Sequence, residues 1–266
     1  MNIFSIASLL LILGVVAAGI VTTITPKEYH MFQDLPAIFL VLGGTLGAAA
    51  ITVQINRVGM LLKAFFLRML KGKRIYYKSI IKEIMELAEE YRAGAPISAL
   101  KEKTKDAFLI EGLQMLEDNI IKGDELFDLM DERVENMYHH YSEEANRFKN
   151  LGKYPPAFGL MGTVLGMIAL LSNLGGADAM KLIGPAMGTC LVATFFGIVT
   201  ANVFILPIGD SLADNAKEIK LKNIIIIEGL RLIMAKTNPV IVAEKLNSYL
   251  LPNERLDWKE VSKKAA

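Results

Sequence analysis

The chain has a single cysteine, Cys190, which excludes a disulfide framework and a cysteine-built metal site. No HExxH pair, no GxxxxGK[ST] loop and no Cys/His cluster occurs anywhere in its 266 residues. The commonest metal-hydrolase and nucleotide-binding signatures are therefore missing, and no enzyme site is visible. Lys plus Arg (29) nearly balance Asp plus Glu (28), so no basic surplus points to nucleic acid. His139 and His140 are adjacent, which places them on different sides of a helix and argues for solvated surface rather than a shared metal. The most informative absence is of charge. Residues 3–25, 35–56, 156–175 and 182–209 contain no Lys, Arg, Asp, Glu or His.

What is present fits membrane spans. The sequence is 53% hydrophobic with mean hydropathy +0.38, yet 21% charged, so the charge is concentrated outside the apolar runs. Each run has about 20 or more residues, enough to cross a hydrocarbon core of about 30 Å as a helix. The first is too long for a signal-peptide core and lacks the basic residues that precede one, so it reads as a retained helix. Pro26, Lys27 and Glu28 interrupt the first pair of runs, and Gly175, Gly176 and Asp178 the second, making two antiparallel hairpins. The expected fold class is all-α: a polytopic membrane protein with four transmembrane helices and a helical cytoplasmic domain between spans two and three.

Orientation follows from the basic residues. Arg57, Lys63, Arg68, Lys71, Lys73 and Arg74 follow the second span, Arg147, Lys149 and Lys153 precede the third, and Lys217, Lys220 and Lys222 follow the fourth. The two short turns carry only Lys27 and Lys181. The middle segment, the C-terminus and, with an even number of spans, the N-terminus are thus expected on the cytoplasmic side. The implied divisions are a hairpin over 1–56, a cytoplasmic helical domain over 57–154, a second hairpin over 155–209, and a cytoplasmic tail over 210–266.

In the middle segment, residues 61–70 mix aromatic and basic side chains and read as a helix on the membrane surface. Ile80, Ile81, Ile84, Leu87, Ala88 and Tyr91 form an apolar stripe at helical spacing, and Leu109, Leu113, Leu116 and Ile120 form another. Phe127, Met130, Val134, Met137 and Tyr141 form a third, on a helix with no stop signal before Tyr154, which can run on into the third span. In the tail, 224–234 is too short and too charged (Glu228, Arg231) to span, and reads as a cytoplasmic helix followed by another over 240–250.

Within the spans the small residues stand four apart: Gly43 and Gly47, Gly162 and Gly166, Gly184 and Gly188, and Ala193, Gly197 and Ala201. This spacing lets helix backbones approach closely, within one subunit or between subunits. Thr163, Thr194 and Thr200 add hydroxyls to the second hairpin. Each either bonds back to its own preceding turn or lines an ion path. Pro156 enters the third span, where proline is tolerated. Pro207 comes late in the fourth and should kink or end it near 203–206. A proton path needs a titrating group inside the membrane. That group is normally a carboxylate or a histidine, and none of the four runs supplies either, so any proton conduction needs a partner that does.

These stretches resemble a known family. Pro156-Ala157-Phe158-Gly159 with Gly162-Thr163 and Gly166, Val192-Ala193-Thr194 with Gly197, Leu206-Pro207-Ile208, Ile227-Glu228-Gly229-Leu230, Lys245-Leu246 and Leu251-Pro252 are together similar to the A subunit of the bacterial flagellar motor stator. This is the MotA/PomA family, in a superfamily with TolQ and ExbB. The order of spans matches across essentially the whole chain. The resemblance implies an inner-membrane pentamer around two copies of a B subunit, whose single membrane helix carries the missing aspartate and whose periplasmic domain grips peptidoglycan. It implies that Pro156 and Pro207 couple ion passage to movement, that Thr194 faces the B-subunit aspartate, and that cytoplasmic charges push on the rotor protein FliG. Family members carry a basic and an acidic rotor-contacting residue on the middle segment. The charges over 88–106 are offset from that pattern, and Arg92 and Glu102 are the nearest choices among Glu89, Glu90, Lys101, Lys103 and Lys105.

Sodium-type members have a threonine pair where this chain has Ala193-Thr194, a pattern that looks proton-type, although Thr163 looks sodium-like. A dehydrated sodium ion needs several oxygen ligands, so the lost hydroxyl at Ala193 favours protons over sodium. No cofactor is expected. The rival readings are a TolQ/ExbB-like energiser of the outer membrane, which would have three spans, and a self-contained channel or a membrane scaffold.

Overall fold

The computed structural model describes residues 3–23, 32–52, 59, 63, 75–121, 123–175 and 179–257. Every regular element among them is helical. The expected turn at Pro26, Lys27 and Glu28, nearly all of the surface helix over 61–70, Arg57, Arg68, Lys71, Lys73, Arg74, Gly176 and Asp178 lie outside the described residues. The chain divides into two compact units, one of residues 1–73 and 142–214 and one of 74–141 and 215–266.

The first unit holds the apolar helices. Helix α1 is Ile3–Thr23; at 21 residues it is about 31 Å long. Helix α2, Leu35–Thr52, starts where Asp34 caps it by accepting the Ala37 N–H at 3.1 Å. Its buried residues are Ala37, Val41, Thr45 and Ala49, an unbroken spacing of four. In a regular α-helix each four-residue step overshoots a turn by about 40°, so three steps would carry the stripe about 120° around. The π-helical turn over Phe39–Gly43 takes one more residue per turn and keeps all four on one face.

Helix α6, Asp124–Asn150, continues through a 3-10 turn at Leu151–Lys153 into helix α7, Tyr154–Asn173. Pro155 and Pro156 fall in the first turn of α7, where their missing N–H groups would have no helical partner anyway. Helix α8, Ala179–Val199, passes through a second π turn, Thr200–Ile205, into helix α9, Leu206–Met234. Pro207 therefore does not end the helix. Its missing donor and the clash of its ring with the carbonyl four residues back are met by the wider π turn immediately upstream. As a consequence, 224–234 is no separate helix but the last part of α9.

The second unit is built of helices α3 (Tyr77–Arg92), α4 (Ile97–Lys103), α5 (Ala107–Asp118), parts of α6 and α9, and α10 (Pro239–Asn247). Gly94 at φ +98° makes the turn out of α3, a conformation open to glycine. Asp106 caps α5 by accepting the Phe108 and Leu109 N–H groups at 3.0 and 3.2 Å. The core joins Ile81, Ile84, Leu109, Leu113, Met130, Ile225, Leu230 and Leu246. Ile120 does not belong to it. Helix α5 stops at Asn119, which takes the left-handed conformation, and Ile120 beyond it is 84% exposed.

Ion pairs ring this core. Lys222 meets Asp106 at 2.6 Å, and Lys220 meets Glu135 at 2.5 Å. The Lys220 hydrogen bond holds the Glu135 carboxyl below its ordinary range. Burial raises Asp131 despite the opposing charge of Arg231, and burial followed by the Glu228 charge raises Tyr249.

Candidate ion-path site

The site lies in the seam between α7 and α8, within the first unit. Gly159, Gly162 and Gly166 share one face of α7 at spacings of three and four, the geometry of close helix approach. A Cβ at Gly159 would stand 2.8 Å from the Ala193 carbonyl oxygen and 3.1 Å from the Thr194 Cα. At Gly162 it would stand 2.7 Å from the Ala193 Cβ, and at Gly166 it would collide with the Cys190 sulfur. From the other helix, Gly197 answers with the same economy: a Cβ there would lie 2.5 Å from the Pro155 carbonyl oxygen and 3.1 Å from the Pro156 Cα. Gly162, Gly166 and Gly197 are thus packing residues, and at Gly159 and Gly197 the opposing atoms are backbone.

This closeness brings Thr163 and Thr194 together. Their hydroxyls are 2.5 Å apart, and the Thr163 hydroxyl lies 2.9 Å from the Cys190 carbonyl oxygen across the seam. The two own-turn alternatives are longer, 3.3 Å from Thr163 to Gly159 and 3.4 Å from Thr194 to Cys190. Each hydroxyl has one proton to donate. The short distances assign the Thr194 proton to Thr163 and the Thr163 proton to the Cys190 carbonyl. The back-bonded arrangement common for membrane threonines loses to a cross-helix chain. Both side chains remain half-buried. Thr200 stands apart, at the head of the π turn.

Within this chain Ala193, Gly43 and Gly47 have other surroundings than an ion lining or an intrasubunit helix contact. Ala193 is 1% exposed, pressed against Gly162 and Gly159, so its methyl packs the seam and lines no open surface in the chain. Gly43 and Gly47 have open space where a Cβ would be, and the glycine of α2 that packs is Gly44, whose Cβ would enter the Phe158 ring. The reason is the π turn. By adding a residue to one turn it sets the face presented to α7, a shift that a constant helical period cannot register.

The proline segments meet at one end of this seam. Gly197 abuts Pro155 and Pro156, and a Cβ at Gly152 would stand 2.8 Å from the Leu206 Cδ2, one residue before Pro207. Close by in sequence, the Lys149 ammonium pairs with Asp210 at 2.6 Å, and the Thr52 and Tyr154 hydroxyls are 3.2 Å apart. The sequence gives no sign of Gly44 or of the Cys190 carbonyl as parts of this seam, nor of the Lys149–Asp210 pair beside it. Gly159, named above in the Pro156–Gly159 stretch, is readable as the start of the Gly159, Gly162, Gly166 series. In the second unit, Arg92 ends α3 and Glu102 sits on α4, both exposed. Neighbouring Glu90 pairs with Lys103, and Lys101 with Glu117, while neither Arg92 nor Glu102 takes part in an ion pair among the described residues. His139 lies 3.4 Å from Glu135.

Chemically, the seam offers two hydroxyls and two nearby carbonyls, with no carboxylate or imidazole beside them among the described residues. Such a set can pass or hold a small cation but cannot by itself store a proton.

Comparison with known proteins gives one consistent picture. Residues 100–223 match the model of the MotA/TolQ/ExbB proton channel family. The chain is 30% identical to motility protein A of Bacillus subtilis (strain 168) over 256 residues, which covers 94% of this chain and 92% of that one. It is 26% identical to the chemotaxis protein PomA of Vibrio alginolyticus, covering 94% and 97%. In the solved flagellar MotAB stator complex from Bacillus subtilis, a chain 26% identical superposes with a TM-score of 0.82, covering 94% of this chain and 97% of that one.

Proposed function

Because the chain belongs to the MotA family, within the MotA/TolQ/ExbB proton channel family, we propose that it is the A subunit of a flagellar motor stator. It is a multi-pass inner-membrane protein, not an enzyme, and it forms an ion channel with a MotB-type B subunit. The observation that carries this function onto residues is the hydrogen-bond chain from the Thr194 hydroxyl through the Thr163 hydroxyl to the Cys190 carbonyl, set in a seam whose helices contain no carboxylate and bounded at one end by both proline segments.

In this reading the B subunit brings its aspartate to Thr194, and the hydroxyl chain hands the ion along the seam. The carried ion is the proton. The buried methyl of Ala193 supports this choice, because it puts no third hydroxyl beside Thr194 and leaves a dehydrated sodium ion short of ligands. Thr163, donating to the Cys190 carbonyl, serves as a link in the chain. Pro156 and Pro207 couple ion passage to movement at the joint they share.

Four spans with both termini cytoplasmic fit the length of α1 and the basic residues flanking the apolar helices. Gly43 and Gly47, open on α2, suit contact with another chain of the pentamer. Exposed Arg92 and Glu102 suit the charge contacts with FliG.

The test is swimming speed of cells that rely on this chain and its B partner, with external sodium and pH varied separately. Speed that follows the proton gradient and ignores sodium is expected. Speed that rises and saturates with sodium overturns the ion assignment while leaving the stator in place. Motility that survives deletion of the gene overturns the stator reading.

A further inference from the structure

The two prolines do not lie in isolated bends. Four close approaches tie their segments together, three of them steric: Gly197 on Pro155 and Pro156, Gly152 on Leu206, and Gly209 on Lys149. A Cβ at Gly209 would stand 2.8 Å from the Lys149 Cβ, 3.0 Å from its Cα and 3.3 Å from its backbone nitrogen, so the chain touches itself there at backbone level. The fourth is the ion pair of Lys149 with Asp210, at 2.6 Å, with side chains 46% and 59% exposed. Close van der Waals contacts, whether with backbone or with side-chain atoms, fix a separation but have no direction. A charge-assisted hydrogen bond does.

The joint lacks internal direction where it needs it most. Pro207 has no N–H to give, and the turn before it is π rather than α, so the helix ladder around 203–207 is at its weakest. Asp210 lies three residues beyond Pro207, and Lys149 lies just before the 3-10 turn that leads to Pro155 and Pro156. The neighbouring cations are engaged elsewhere. Arg147 pairs with Glu143 on its own helix at 2.6 Å, and the Lys153 ammonium stands over the Tyr154 ring at 5.3 Å.

We propose that Lys149 and Asp210 are positioning residues for torque: their ion pair sets the register of the joint that carries Pro155, Pro156 and Pro207, so that ion passage moves both proline segments as one body. This rests on the stator reading above. A half-exposed pair contributes little to stability, so its role is to orient rather than to hold the protein together. Steric contacts alone would leave the start of α9 free to turn about its axis.

The experiment expresses the full chain with its B partner in cells lacking the native gene. Membrane accumulation, ion influx into membrane vesicles and swimming speed are measured side by side. Lys149→Ala and Asp210→Ala are expected to accumulate and conduct close to the wild type while swimming several-fold more slowly. The charge swap, Lys149→Asp with Asp210→Lys, is expected to restore most of the speed, and Asp210→Glu to keep part of it. Wild-type speed in both alanine variants overturns the proposal. So does a swap variant that accumulates but swims no better than either alanine variant. If accumulation, influx and speed fall in proportion, or if every variant including the swap fails to accumulate, the pair is merely structural and the proposal falls. A wild-type chain that does not restore swimming at all overturns the stator reading first, a pattern distinct from each of these.

Discussion

Replacing Gly159 with alanine is the most direct probe of the hydroxyl chain, because it touches neither threonine. The added methyl would begin 2.8 Å from the Ala193 carbonyl oxygen and 3.1 Å from the Thr194 Cα. Ordinary carbon–oxygen contact needs about 3.4 Å, so α8 must back away by about 0.6 Å at this point. The atoms in the way are backbone, so no rotamer change relieves the clash. The same displacement would stretch the Thr163 bond to the Cys190 carbonyl from 2.9 Å to about 3.5 Å, past the hydrogen-bonding range, while the bond between the two hydroxyls, starting shorter, would survive. Overpacking costs about 1–3 kcal/mol. The lost hydrogen bond costs about 0.5–1.5 kcal/mol more, offset by up to about 1 kcal/mol from exchanging glycine for a better helix former. The net expectation is a loss of about 2 kcal/mol, small enough for the chain to fold.

The assay pairs thermal unfolding of the purified complex with ion influx into vesicles. Gly159→Ala should lower the melting temperature slightly and lower influx strongly. Gly43→Ala, with open space for its methyl in the chain, should not destabilise the isolated subunit, and any loss would be of assembly. Influx at the wild-type level in Gly159→Ala would show that the spacing of the seam does not control the ion path, and the reasoning would fail.

Thr194→Val keeps the volume of the side chain and removes its hydroxyl, so it should reduce ion influx more than accumulation; unchanged motility would refute a path through Thr194. Pro207→Ala restores a backbone donor below the π turn and should leave insertion intact while abolishing torque, as should Pro156→Ala; if both variants simply fail to accumulate, the prolines are structural. Lys220→Met should raise the Glu135 pKa toward the ordinary glutamate value, read from its carboxyl resonance. Because Glu135 is held low by that partner, the stability gained from the pair is present at neutral pH. It is lost as the pH falls through the lowered folded value, so wild type and Lys220→Met should converge in acid. A stability difference that persists there would contradict the assignment.

The class of the protein follows from composition alone. Long runs without charge can only be buried in lipid or in a core, because that depends on composition over many residues and not on where any one side chain points. The apolar stripes of α3 and of α6 through Met137 were legible for the same reason, since a period of 3.6 survives small errors of phase. The face carrying Gly162 and Gly166, and the one carrying Gly197, can be read at a constant period because α7 and the α8 stretch opposite it are regular helix. Phase was lost wherever the winding changes. The π turn at Phe39–Gly43 exchanged Gly44 for Gly43 and Gly47, and the π turn at Thr200–Ile205 carried the helix past Pro207 to Met234. Which hydrogen bonds the threonines make depends on packing, because own-turn and cross-helix acceptors are chemically alike and the choice falls to tenths of an ångström. Only it placed Lys149 beside Asp210, 61 residues apart in the chain: attraction between charges depends on a separation that the fold alone sets.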